Sequence, residues 1–339
     1  MADPSIQAFC CRSPESTKII SLNLMSEFNS VSYNTVCLIS SIIGIFGAIF
    51  QMLPREDRVQ PHRPYSSVAL RGRKIILWLA FGDLMATLGV LLRSVLKILV
   101  AYEYLQEEDT NIVLCVILAV IIQYFYTVTW MWTLIYAIDM WLALQDKKGY
   151  PVLYHSLVWI IPACLTSVGL FILYAPNVDC HNLLPNESAF LRILPNYFAT
   201  YLPILTVMTV NPILYLLSAR SVHIVVARSL CQYTQKERKI VDSIRLKFGL
   251  INLVFYVCWL PNIIGGIIVW VYWDNLPRTF ILVLWYLMAT TNPLQALFNS
   301  LVYRRSRDKV MLFRNHQQAF GETTPLLPAS KQSGKTTSD

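Results

Sequence analysis

Seven long apolar stretches constrain this chain more than any other feature. They run approximately over 31–53, 74–100, 112–144, 154–174, 197–219, 245–271 and 280–303. A bilayer core is about 30 Å thick and takes about 20 apolar residues per helix. Each stretch reaches that length, and a helix can satisfy its own backbone inside hydrocarbon. The expectation is an all-α integral membrane protein, a seven-helix transmembrane bundle. Composition agrees, because only 14% of the 339 residues are charged, against about 25% in a soluble domain. The second and third runs overshoot a bilayer and are expected to extend beyond it.

Orientation follows from the basic residues. With the N-terminus outside, four Lys and Arg fall in outward segments and 22 in inward ones, while Arg93 and Lys97 stay within the second span. Cytoplasmic loops concentrate Lys and Arg, so the N-terminus is expected in the lumen or outside the cell and the C-terminus in the cytosol. The net charge of +8 is then mainly a topology signal and not a nucleic-acid footprint. No Cys/His cluster has zinc-finger spacing, and no basic block is interleaved with aromatics. No metal, cofactor or nucleic-acid partner is expected. The first 30 residues lack a charged segment followed by an apolar core, so the first span is expected to insert the chain. The division is a lumenal or extracellular segment 1–30, a transmembrane domain 31–303 and a cytosolic tail 304–339.

Two outward features fit this orientation. Asn186-Glu187-Ser188 is a glycosylation sequon in the second outward loop. Cys115 opens the third span on the outer side, and Cys180 lies in that same loop. Both can be free thiols, but their shared side and depth in an oxidising compartment favour a disulfide. Cys10 and Cys11 are also outside, with no partner to assign. Cys37, Cys164 and Cys258 read as small apolar packing residues.

Polar residues within the spans carry the functional signal. Asp83 sits about nine residues into the second run, roughly 13 Å at 1.5 Å per residue. Inserting Asp at that depth costs about 2.5–3.5 kcal/mol. It is either a neutral hydrogen-bonded residue or a cation or proton site facing Asn292. Asn211-Pro212, Trp259-Leu260-Pro261 and Asn292-Pro293 put a proline in each of spans five, six and seven. A proline removes a helix hydrogen bond and kinks the helix, and neighbours in a bundle can satisfy the freed carbonyl. Asn292 is one local donor. Three such kinks in succession point to hinges. Arg93 and Lys97 lie on the outer third of span two; Lys97 is expected to snorkel, and Arg93 is a candidate for an anionic ligand group. Trp270, Tyr272, Trp273 and Trp285 read first as an interfacial belt, with Trp270 and Trp285 as possible ligand contacts. After Tyr303, Val310, Met311, Phe313 and Phe320 among basic residues suggest a short amphipathic helix along the inner leaflet, followed by a polar, disordered end.

An integral-membrane enzyme is disfavoured. The five histidines lie in loops, the tail or a helix end, and no zinc hydrolase can be assembled from them inside the membrane. The sequence AFGDL around Asp83 lacks the first glycine of the intramembrane aspartyl protease signature. No lysine stands in span seven for a retinal Schiff base. A proton or cation transporter stays open, because Asp83 and Asp139 are acidic residues in helices, although the internal repeats of many transporters are missing.

The motifs resemble those of G-protein-coupled receptors. CWLP (258–261) is similar to the sixth-helix toggle of rhodopsin-like receptors, Asp83 to their sodium-site aspartate, and Cys115 with Cys180 to their outer disulfide. Two departures set the chain apart from that class. Asp139 precedes Met140 where those receptors carry arginine, and NPLQALFNSLVY has no tyrosine three residues after its proline. A closer resemblance spans nearly the whole chain. FCC (9–11), YHSLVW (154–159), PNYFATYLP (195–203), NPILY (211–215), YTQKERK (233–239), CWLPNII (258–264) and NPLQ (292–295) occur in order and resemble the ocular albinism type 1 family. That resemblance implies a pigment-cell receptor of melanosomes and lysosomes, partly at the plasma membrane. It implies response to L-DOPA with tyrosine and dopamine as competing ligands, and heterotrimeric G protein and arrestin as partners. Asp139 and the basic loop 220–247, including Arg238 and Lys239, are the expected G-protein docking surface. In the tail, ETTPLL (322–327) fits an acidic dileucine signal read by clathrin adaptors, through Glu322, Leu326 and Leu327.

Overall fold

The computed structural model describes residues 30–53, 64–102, 109–145, 147–174, 187–228, 235–271 and 278–321. These form seven helices: α1 Ser30–Met52, α2 Pro64–Ala101, α3 Asp109–Leu144, α4 Pro151–Tyr174, α5 Glu187–Arg228, α6 Gln235–Val271 and α7 Arg278–Gly321. No strand occurs among the described residues. All seven helices contain a span long and apolar enough to cross a membrane. As expected, α2 and α3 overshoot, at 38 and 36 residues. The basic segment after Tyr303 is helical, but its backbone continues α7 without a break to Gly321 and forms no separate element.

Each helix packs on the next in sequence, and α7 returns to α1 to close a ring. The third helix crosses the interior to meet α5, and α2 meets α7. Two apolar layers fill the bundle. One gathers Tyr126, Trp130, Ile204, Phe255, Trp259, Trp285 and Met288. The other gathers Leu79, Trp132, Tyr136, Val158 and Phe248. The outer surface is also apolar: Phe46, Phe171 and Leu253 are exposed on it, Phe171 by 73%. A contiguous apolar exterior of this kind needs a hydrocarbon solvent, and the protein is a multi-pass membrane protein.

At two of the helix-interior prolines, Pro293 and Pro212, a neighbouring helix replaces the missing bond. Pro293 removes the donor for the Ala289 carbonyl four residues earlier. The Ser40 hydroxyl of α1 donates to that oxygen at 2.7 Å. Pro212 frees the Met208 carbonyl in the same way, and the Tyr256 hydroxyl of α6 donates to it. For Pro261, Thr291 of α7 reaches the Cys258 carbonyl at 3.5 Å, one residue past the freed one. Beyond the local donor expected at Asn292, a group from elsewhere in the bundle satisfies the carbonyl freed at Pro293. A hydroxyl on another helix does so, because α1 comes close enough to present it.

That closeness depends on small residues. Ser40, Gly44 and Gly47 recur at helical spacing on α1, and a Cβ on Gly44 would lie 2.1 Å from the Pro293 carbonyl oxygen. On Gly47 it would meet Leu297 Cα at 2.5 Å. Small residues let backbones approach in membranes, where no hydrophobic force drives helices together. Here they seat α1 on the segment of α7 around Pro293.

Candidate functional site

The polar centre of the bundle is built by α2, α6 and α7. Asp83 is 2% exposed and faces α7. Gln295 Nε2 donates to its Oδ1 at 3.2 Å, and Asn299 Nδ2 donates to its Oδ2 at 3.3 Å. The indole N–H of Trp259 donates to Gln295 Oε1. An indole nitrogen can only donate, and an ionised carboxylate can only accept. The Gln295 amide is thus oriented with its oxygen on α6 and its nitrogen on α2. One side chain joins the two helices. Trp259 itself is fully buried, edge-on to Trp130 and Tyr126 at 4.8 and 5.0 Å between ring centroids.

From sequence, Asp83 was expected to face Asn292; the two bonds to its carboxylate described here come from Gln295 and Asn299, further along the same helix. Asn292 is buried one turn earlier, and residues 292, 295 and 299 share one face at helical spacing. That spacing was a signal for Gln295 and Asn299, which sequence reasoning passed over. Asn292 and Pro293 belong to the kink, and Pro261 lies two residues after Trp259, so every expected switch residue borders this centre. Trp285 corrects the belt reading: it is 2% exposed and packs in the same core layer as Trp259. Residues 285, 288, 289 and 292 form the inward stripe of α7, which leaves this tryptophan no route to the interface.

A second polar cluster lies where α3 ends and α4 begins. Asp139 has no exposed surface. Arg71 Nε of α2 lies 3.1 Å from its Oδ1 and 3.4 Å from its Oδ2. The Tyr154 hydroxyl of α4 donates to Oδ1 at 3.2 Å. Gly149 closes the cluster from the α3–α4 linker, where a Cβ would fall 2.3 Å from Asp139 Oδ1. Met140 packs its Cε against Gly72, 3.4 Å from the position a Cβ would take. Helix 3 carries no arginine after Asp139, and α2 supplies the guanidinium instead. Asp139 was expected on a docking surface. The structure puts its carboxylate beneath Gly149, where the charge-assisted bond from Arg71 and the Tyr154 hydroxyl offset part of its desolvation.

A third cluster joins α3 to α5. Gln123 Nε2 donates to Asn196 Oδ1 and Thr200 Oγ1, both at 3.0 Å. All three are buried, and Gly169 of α4 brings its backbone against Asn196, with 3.1 Å from its missing Cβ to Asn196 Cα. Asn196 and Thr200 fall within the PNYFATYLP motif, which sequence reading used as a family mark without assigning these residues a contact.

Of the remaining expected residues, Arg93 is buried on α2, ten residues and about 15 Å of helix beyond Asp83. Cys115 is disulfide-bonded, while Cys180 lies outside the described residues. Cys37, Cys164 and Cys258 are not disulfide-bonded, and Cys164 faces outward where packing was expected. Trp270, Arg238 and Lys239 are placed by backbone only, Trp270 at the end of α6 and the two basic residues in its first turns. Asn186, Glu322, Leu326 and Leu327 fall outside the described residues.

Comparison with known proteins agrees with the motif order. A human protein, G-protein coupled receptor 143, is 28% identical over 321 residues, covering 89% of this chain and 77% of its own length. The family model described as ocular albinism type 1 protein matches residues 1–321. A match of that extent takes in all seven helices together with the Asp83, Asp139 and Gln123 clusters, and the chain belongs to the ocular albinism type 1 protein family.

Proposed function

We propose that the protein is a G-protein-coupled receptor of melanosomes and related lysosomal membranes, with a fraction at the plasma membrane. The observation that carries this reading is the Trp259–Gln295–Asp83 connection. It ties a core tryptophan on a kinked helix to the centre of α2 through one oriented amide. A ligand that moves the outer part of α6 changes the position of Trp259, and Gln295 cannot keep both its bonds. The kinks of α5, α6 and α7 then supply the movement at the opposite end. The name of the human relative supports the class.

The ligand is an amino acid or catecholamine of the L-DOPA, tyrosine and dopamine type. Heterotrimeric G proteins and arrestin bind the end at which α3, α5 and α7 finish. The 22 Lys and Arg on that side of the chain support its facing the cytosol. Cys180 is the partner of Cys115, and Asn186 carries a glycan in the same outward loop. Glu322, Leu326 and Leu327 bind clathrin adaptors.

Purified protein in liposomes tests the reading against ion transport, the rival use of a buried Asp83. L-DOPA-dependent nucleotide exchange on an added G protein supports the receptor. Proton or cation flux through the protein alone, lost in Asp83→Asn, overturns it.

A further inference from the structure

We propose that Arg71, Asp139, Tyr154 and Gly149 form a latch that holds the α3–α4 linker shut over the end of the bundle and so restrains partner access. The regulatory half of this proposal rests on the receptor reading. The linker is held at two points. The backbone N–H groups of Gln145 and Lys147 both donate to the Leu142 carbonyl at 3.0 Å, which turns the chain sharply off α3. Four residues after Gln145 the backbone at Gly149 lies on the Asp139 carboxylate, with no room for a side chain. Between and beyond these points Lys147, Lys148 and Tyr150 are exposed. Within 147–150, Gly149 is therefore the residue that turns inward.

The chemistry of the clasp suits a contact that opens. Asp139 is fully buried, but Arg71 is 24% exposed, so solvent reaches one side of the pair. Its Nη2 is buried with no hydrogen-bond partner. A purely structural bridge gains little over an apolar contact of similar volume, and this one leaves a donor unsatisfied. It joins three helices and the linker at one carboxylate, which accepts from Arg71 and Tyr154 beneath Gly149, so a change at any of these residues disturbs the seat of the linker. Met140 against Gly72 is a further contact between α2 and α3 at this end, separate from the clasp.

Amide hydrogen exchange on the purified full-length protein in detergent reads the latch directly. Arg71→Gln, Asp139→Asn and Gly149→Ala should each speed exchange of amides 145–152 at least tenfold. Gly149→Ala is the decisive variant because it changes no charge. Unchanged protection in α3 at 122–130 establishes that each variant is folded, and Lys148→Ala is the control with wild-type exchange. In liposomes with a G protein, the same variants should raise ligand-free nucleotide exchange several-fold. Unchanged exchange at 145–152 in folded Arg71→Gln and Gly149→Ala overturns the latch. A loosened linker with wild-type ligand-free activity, when the wild type responds to L-DOPA, also overturns it, since the clasp is then only structural. A loosened linker with no coupling by any form, wild type included, supports the latch and refutes the receptor reading.

Discussion

Gly44→Ala tests the seam that holds the α7 kink. The new methyl would lie 2.1 Å from the Pro293 carbonyl oxygen and 3.0 Å from its carbon. Both are backbone atoms, and neither can rotate away. Relief requires α1 and α7 to part by roughly 1 Å, to restore an ordinary contact distance. Such overpacking costs about 1–3 kcal/mol, and a backbone neighbour puts this site near the upper end. Parting the helices also stretches the Ser40 bond to Ala289, now 2.7 Å, an interhelical bond of a kind that contributes about 0.6 kcal/mol on average. Alanine returns about 1 kcal/mol of helix propensity. The net expectation is a loss of about 2–3 kcal/mol. Reversible unfolding in mixed micelles, titrated with dodecyl sulfate, measures it. Gly72→Ala is the internal comparison, because its Cβ would meet the flexible Met140 Cε at 3.4 Å and Tyr136 Cε2 at 4.0 Å, both ordinary contacts with side chains. That variant should be neutral or slightly more stable. Equal stability of the two variants would show that the close approach of α1 to Pro293 does not exist in the protein.

Ser40→Ala and Tyr256→Phe each strip the donor from a proline-freed carbonyl, and each should lower stability by about 0.5–1.5 kcal/mol in the same titration; no change in either would mean that water serves those carbonyls. Gln295→Met keeps the volume but removes both amide bonds, so L-DOPA-dependent nucleotide exchange should fall at least tenfold with expression retained, and a full response would refute the connection through Trp259. Non-reducing peptide mapping should recover Cys115 linked to Cys180, and recovery of Cys115 linked to another cysteine would refute that pairing. Replacing Leu326 and Leu327 together by alanine should raise surface biotinylation while leaving total protein unchanged; retention equal to wild type would show that the address lies elsewhere.

Span number, length and membrane character were determined by the sequence alone, because an apolar run of bilayer length has few folded alternatives. The same holds for the prolines: a missing N–H is a local fact, and so is the expectation of a kink. What meets each freed carbonyl is not local. Ser40 and Ala289 are 249 residues apart in the chain, and Asp83 and Gln295 are 212 apart. Several polar residues on each helix had the right chemistry, and only the rotation and depth of the neighbouring helix select among them. Asn292 stood next to the proline and was legible by sequence, whereas the bonds made by Ser40, Gln295 and Asn299 were not. Asp139 shows the same division. Its acidity and its place near the end of α3 were legible, whereas its burial required Arg71 from α2 and a side-chain-free residue at 149. An ionisable group in a span announces itself by its cost, but which groups offset that cost depends on which helix faces are brought together, and only the packed bundle decides that.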